Sequence, residues 1–161
     1  MTAAGNEHQK RLLIVANQPS INTRQLANQL LTGAQHPELS GISATLKQPI
    51  DTTADDVLAC HGIIIGSTEN FGYMAGLIKD FLERIYYPCL EEKQGLPWAL
   101  YVRAGNDGSG TISAIERIVT GLRWSQIQPA LLLQGSYQTS FDEQCRELGM
   151  TMAAGLDAGI F

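Results

Sequence analysis

The sequence predicts an α/β domain: a five-stranded parallel sheet in the order 2-1-3-4-5, with helices on both faces. Three observations carry that prediction. Short apolar runs of strand length alternate along the chain with longer segments of helical period. The runs are near-continuously apolar, as in strands buried on both faces by right-handed helical crossovers. Four such runs and a weaker, alternating fifth in 161 residues favour this order over the longer, six-stranded doubly wound one.

The elements follow in order. Residues 1–10 are polar and read as a flexible tail of a single domain spanning 1–161. The first strand is 12–16. A helix over 23–31 puts Leu26, Leu30 and Leu31 on one face, with Asn22 as N-cap and Gln25 three residues later. A weaker edge strand, 41–46, alternates Ile42, Ala44 and Leu46. A short helical turn at 54–59 carries Asp55 and Asp56 at its start, where the helix dipole favours acids. The third strand is 63–65. The clearest helix, 74–86, repeats Met74, Leu77, Ile78, Phe81, Leu82 and Ile85 at helical spacing, which makes them its core face. A fourth strand at 99–102 precedes a helix over 111–122 carrying Ile112, Ile115, Ile118, Val119 and Leu122. The fifth strand, 130–133, leads to a helix over 142–156 with Cys145, Leu148, Met152 and Leu156 inward, after the cap candidates Thr139 and Ser140.

Composition removes several function classes. A chain that is 44% hydrophobic and 17% charged is not a disordered one. A net charge of −5 argues against nucleic-acid and membrane-surface partners, which need a basic face. Cys60, Cys89 and Cys145 form no CxxC pair and read as free thiols. His8, His36 and His61 are scattered, so no metal set is expected. The first apolar run, Leu12 to Ala16, is shorter than the ~7–15 residues of a signal peptide or the ~20 of a membrane span. The expected location is the cytoplasm.

Doubly wound sheets bind ligands beyond the carboxyl ends of the strands, at the switch in strand order. The loops after strands one, three and four therefore matter most. The first runs Asn17-Gln18-Pro19-Ser20-Ile21-Asn22-Thr23 and opens a helix, where free N–H groups suit a phosphate. Ser20, Asn22 and Thr23 add side-chain donors, and no GxxxxGK[ST] is present. An ordinary capped strand-to-helix loop is the other reading of these residues. The second loop joins Ser67, Thr68, Glu69 and Asn70 to Phe71, Gly72 and Tyr73. A flat ring could stack on Phe71 or Tyr73; the alternative is that Phe71 staples the following helix to the core. The third, Ala104-Gly105-Asn106-Asp107-Gly108-Ser109-Gly110, holds three glycines, or is simply a flexible turn capped by Ser109 or Thr111. Together the three loops suit a planar ring with a phosphate tail.

The stretch Gly66-Ser67-Thr68-Glu69-Asn70-Phe71-Gly72-Tyr73-Met74, continued by Ala75-Gly76-Leu77-Ile78-Lys79-Asp80-Phe81-Leu82-Glu83-Arg84, resembles the flavin-loop and helix signature of flavodoxin-like FMN proteins. Within that family it is most similar to the NAD(P)H-dependent FMN reductases and the tryptophan-repressor-binding-protein-like quinone reductases. Pro19-x-x-Asn22-Thr23-x-x-Leu26 resembles their phosphate loop, and the segment from Gly105 to Gly110 their third, glycine-rich loop. The likeness runs from Arg11 to Tyr137. Thr68 stands where the family has proline, Glu69 puts an acid in the loop, and the first loop lacks the family's glycine.

The resemblance implies a flavodoxin-like three-layer sandwich with FMN as cofactor. It implies that Ser20, Asn22 and Thr23, with Gln18 beside them, hold the phosphate. Ser67, Thr68, Glu69, Asn70, Phe71 and Gly72 would face the isoalloxazine, and Ala104, Gly105, Asn106, Asp107, Gly108 and Gly110 its other side. A Glu69 close to the ring would lower its potential by charge repulsion. The implied activity is NAD(P)H-dependent reduction of quinones or similar small acceptors. Hydride and electron chemistry belong to the flavin, so no acid–base catalytic residue is named. An electron carrier with a protein partner and a flavin-free interaction module are the rival readings. A phosphoacceptor receiver is disfavoured, because Gly66-Ser67 stands where it needs an aspartate. A homodimer or homotetramer, in which a neighbouring chain covers the flavin, is the expected assembly.

Overall fold

A computed structural model describes residues 8–161. The chain runs β1 (Lys10–Ala16), α1 (Ile21–Ala34), β2 (Ile42–Lys47), α2 (Ala54–Ala59), β3 (Gly62–Asn70), β4 (Tyr73–Met74), α3 (Gly76–Cys89), β5 (Pro97–Ala104), α4 (Ser109–Leu122), β6 (Ser125–Gln126), β7 (Leu131–Gln134) and α5 (Thr139–Asp157). The sheet order is β2-β1-β3-β5, with β6 and β7 sharing the fifth position beside β5. All pairings are parallel except that of β3 with the short β4. This is the predicted 2-1-3-4-5 order and three-layer arrangement.

The apolar runs are continuous because alternate residues serve opposite layers. Leu12, Ile14, Ile64, Ala99 and Tyr101 pack with α1 and α5 through Leu26, Leu30, Cys145, Leu148 and Met152. Leu13, Val15, Ile63, Ile65, Leu100 and Val102 pack on the other face with α3 and α4 through Ile78, Phe81, Leu82, Ile115 and Val119. Phe81, Ile78, Leu82 and Ile85 are fully buried. No described helix is long and apolar enough to cross a membrane.

Several boundaries differ from the sequence expectation, each for a local reason. Lys10 already pairs with Ile42, so the strand reaches into the predicted tail, whose residues 1–7 lie outside the described residues. The α1 N-cap is Ser20 rather than Asn22. Ser20 and Thr23 form a reciprocal capping box, with the hydroxyl of Thr23 doing what Glu or Gln does elsewhere. β3 runs past Ile65 to Asn70, because β4 folds back on it. Met74 therefore belongs to a strand, α3 starts at Gly76, and Leu77 is 40% exposed instead of facing the core.

α4 begins at Ser109 after a left-handed Gly108, so neither Ser109 nor Thr111 is its cap. α5 likewise starts at Thr139 after Gln138, leaving Thr139 and Ser140 inside the helix. The fifth strand is split. From Trp98 to Tyr101 β5 advances three residues, while its partner advances five, from Gln126 to Leu131. Pro129, which has no N–H to donate, sits in that excursion.

Candidate functional site

The carboxyl ends of β1, β3 and β5 lie side by side, with Ala16 opposite Gly66 and Thr68 opposite Arg103. Their three following loops consequently meet at one edge. Side chains then tie the loops together. The Asn17 N–H donates to the Gly66 carbonyl at 2.9 Å, and its side-chain amide donates to Thr68 Oγ1 at 3.0 Å. The Thr68 hydroxyl passes the chain on to Asn70 Oδ1, also at 3.0 Å.

In the first loop the predicted residues divide. Ser20 and Thr23 satisfy each other: the Ser20 N–H donates to Thr23 Oγ1 at 2.9 Å, and the Thr23 N–H to Ser20 Oγ at 3.2 Å. Thr23 is buried by this arrangement. Gln18 folds back on the Ala16 carbonyl at 3.4 Å. Asn22 stands exposed in the first turn of α1, beside N–H groups that have no acceptor within the helix.

The second loop is a β-hairpin. Asn70 pairs with Tyr73, and the two residues between them are left-handed, Phe71 at φ 54° and Gly72 at φ 71°. That is the signature of a type I′ turn, which prefers Asn-Gly. A phenylalanine there costs conformational energy, and Phe71 recovers none of it by burial, being 107% exposed. It is therefore no staple for α3. Tyr73, beside it, is 44% exposed. Ser67 faces inward: its hydroxyl donates to the Thr68 carbonyl and accepts the Ala75 N–H at 3.0 Å, closing the base of the hairpin.

Glu69 crosses to the third loop. Its carboxylate accepts the N–H groups of Asp107 and Gly108, where the α4 dipole favours negative charge. Asp107 takes the Ser109 hydroxyl at 2.7 Å. Gly110 allows a close approach between the loops, since a Cβ there would lie 2.5 Å from the Gly72 carbonyl oxygen. Ala104 is buried, and Gly105, Asn106 and Asp107 are exposed. Gln134 donates to the Asn106 carbonyl, and Gly135 to that of Ala104, fixing the loop from β7.

The edge thus presents Asn22, Asn70, Phe71, Tyr73, Gly105, Asn106 and Asp107 outward, whereas Thr23, Ser67 and Ala104 support it from below. Asn17 and Gln134 were absent from the sequence-derived set. Asn17 could have been found as the first polar residue after the strand; Gln134 carries no local signal. The cysteines are all buried and free, and burial pushes the Cys60 thiol up to about 11 and that of Cys145 to about 12. None supplies a thiolate at neutral pH. Among the described residues, no group of His, Cys, Asp and Glu could hold a metal ion.

No family model matches the chain. A flavodoxin of Aquifex aeolicus (strain VF5) is 27% identical over 112 residues, 70% of this chain and 60% of that protein, so less than two thirds of its length is spanned. A flavodoxin from the domain Archaea superposes with a TM-score of 0.78 at 17% identity, covering 91% of this chain and 98% of that one. Two-electron reduced flavodoxin of Megasphaera elsdenii gives 0.73 at 19%, over 89% and 98%. The flavodoxin, WrbA-like protein of Agrobacterium tumefaciens gives 0.72 at 15%, over 94% and 98%. Sheet order, crossover pattern and these superpositions agree that the chain has the flavodoxin-like fold.

Proposed function

We propose that the chain binds FMN at this edge and uses it to transfer electrons. The observation that carries the reading is Phe71, whose backbone is left-handed and whose aromatic ring is fully exposed where three loops meet. Strain of that kind persists where something uses it. The residues fit the cofactor. Asn22 and the free N–H groups of the first turn of α1 suit a phosphate monoester, with Ser20 and Thr23 shaping the turn. Phe71 and Tyr73 offer stacking faces, and the hairpin from Ser67 to Gly72 faces the backbone of Gly105, Asn106, Asp107 and Gly108 across the Glu69 contact. Bound there, the flavin supplies the electron and hydride chemistry. The chain's part is to orient it, and Glu69 and Asp107 bring negative charge near the ring.

Likeness to flavodoxins supports a carrier that passes electrons to a protein partner. The flavin-loop motif supports NAD(P)H-dependent reduction of a small quinone. Steady oxidation of NAD(P)H in the presence of a quinone selects the second use, and its absence with an intact flavin selects the first. Exposed Ile21, Phe71 and Tyr73 around the edge also suit a second copy covering it, as dimer or tetramer.

The deciding experiment is titration with FMN. One equivalent per chain should quench flavin fluorescence and raise the melting temperature, since a ligand of the native state stabilises it by mass action. Neither effect at saturating FMN would end the flavin reading.

A further inference from the structure

At the opposite edge, by the amino ends of the central strands, lies a cavity of about 320 Å³ lined by Lys10, His61 and Lys93. These groups come from β1, from the turn before β3 and from the α3–β5 connection, and each is held by a backbone bond. Lys10 Nζ donates to the Leu156 carbonyl at 2.7 Å, and Lys93 Nζ to that of Cys60 at 2.8 Å. An ammonium has three donors, so each keeps two. His61 Nδ1 accepts the Arg11 N–H at 2.9 Å, which places the proton of the neutral ring on Nε2, as a donor.

Among the described residues neither lysine forms an ion pair. Glu92 is the one acidic side chain in the lining, and Leu96, Pro97, Leu156 and the side chain of the last residue, Phe161, give it an apolar wall. The cavity therefore gathers fixed cationic donors in a chain of net charge −5. Lysines that only capped the ends of α2 and α5 would have no need of a common cavity.

We propose that this cavity binds an organic anion, its carboxylate or phosphate head held by Lys10, Lys93 and His61 Nε2, and its apolar body against Leu96, Pro97 and Leu156. The field at the site agrees. Burial, then the charges of Lys93, Lys10 and Arg11, hold His61 below its ordinary pKa, so an anion that enters must raise it. The proposal is independent of the flavin reading.

The test is proton NMR of the three histidines during titration with phenyl phosphate, benzoate and inorganic phosphate, at ionic strength fixed with sodium chloride. Phenyl phosphate or benzoate should raise the His61 pKa saturably, by about half a pH unit or more, while His8 and His36 stay in place. The tighter of the two identifies the head group, and inorganic phosphate should bind more weakly for want of a body. Lys10→Met with Lys93→Met should abolish the shift. Exposed Glu92→Gln should tighten binding at least about threefold, and it decides the matter if the double variant does not fold. A shift that does not saturate, that all three histidines share, or that is indifferent to Glu92→Gln overturns the site.

Discussion

The carboxylate of Glu69, near the end of β3, accepts the backbone N–H of Gly108, the residue that opens α4. One side chain thus caps a helix that follows a different strand and locks the hairpin to the glycine-rich loop. Glu69→Ala should cost about 1 kcal/mol, the worth of a good N-cap, lowering the melting temperature by about 2–4 °C. Glu69→Gln keeps an acceptor without the charge and should fall between the two in a denaturation series.

Phe71 pays for its left-handed backbone without any packing in return. Phe71→Asn, giving the Asn-Gly pair that type I′ turns prefer, should raise stability by about 1 kcal/mol. The same change should weaken FMN at least several-fold. A variant that gains stability and keeps full flavin affinity would show that the ring is not the stacking face.

Asn22 separates FMN from riboflavin. Loss of a charge-assisted bond to phosphate is worth about 1.5–3 kcal/mol, so Asn22→Ala should weaken FMN at least tenfold and leave riboflavin unmoved. Thr23→Ala breaks the capping box and should weaken both ligands with the fold.

Phe81 and Leu77 lie four residues apart on α3, yet only the first is buried. Phe81→Ala should cost about 3–5 kcal/mol in urea denaturation. Leu77→Ala should stay within about 1 kcal/mol.

His61 gives stability a pH dependence. Its folded pKa lies below the unfolded 6.5 through burial and the charges of Lys93, Lys10 and Arg11, with Glu92 the nearby acid. Below pH 6.5 the unfolded chain binds the extra proton, so stability is complete above that point and falls as pH drops towards the folded value. His61→Gln should flatten that part of a stability–pH curve.

The sheet could be read from the sequence because two-sided burial writes unbroken apolar runs such as Leu12 to Ala16. The hairpin could not. Its first arm, Thr68 to Asn70, is polar, and Met74, buried from a strand, falls by coincidence on the helical period of Ile78 and Phe81. The choice of Ser20 over Asn22 as cap turned on a threonine hydroxyl three residues on, a partner outside the usual Glu/Gln rule. The loops of the candidate site were legible from topology. Which of their side chains turn inward was not: the burial of Ser67 depends on the hairpin that brings the Ala75 N–H to its hydroxyl, and that of Thr23 on a capping box outside the usual Glu/Gln rule.

The interruption of the fifth strand bears on strand-to-strand aggregation at that border of the sheet. A long, flat outer strand offers a row of unmet N–H and C=O groups that another sheet can add to, which is how aggregation begins. Here that border is broken into stretches of two and four residues around Pro129, so no continuous ladder is presented to an incoming strand. Replacing Pro129 with a strand-forming residue would remove this guard without touching the core.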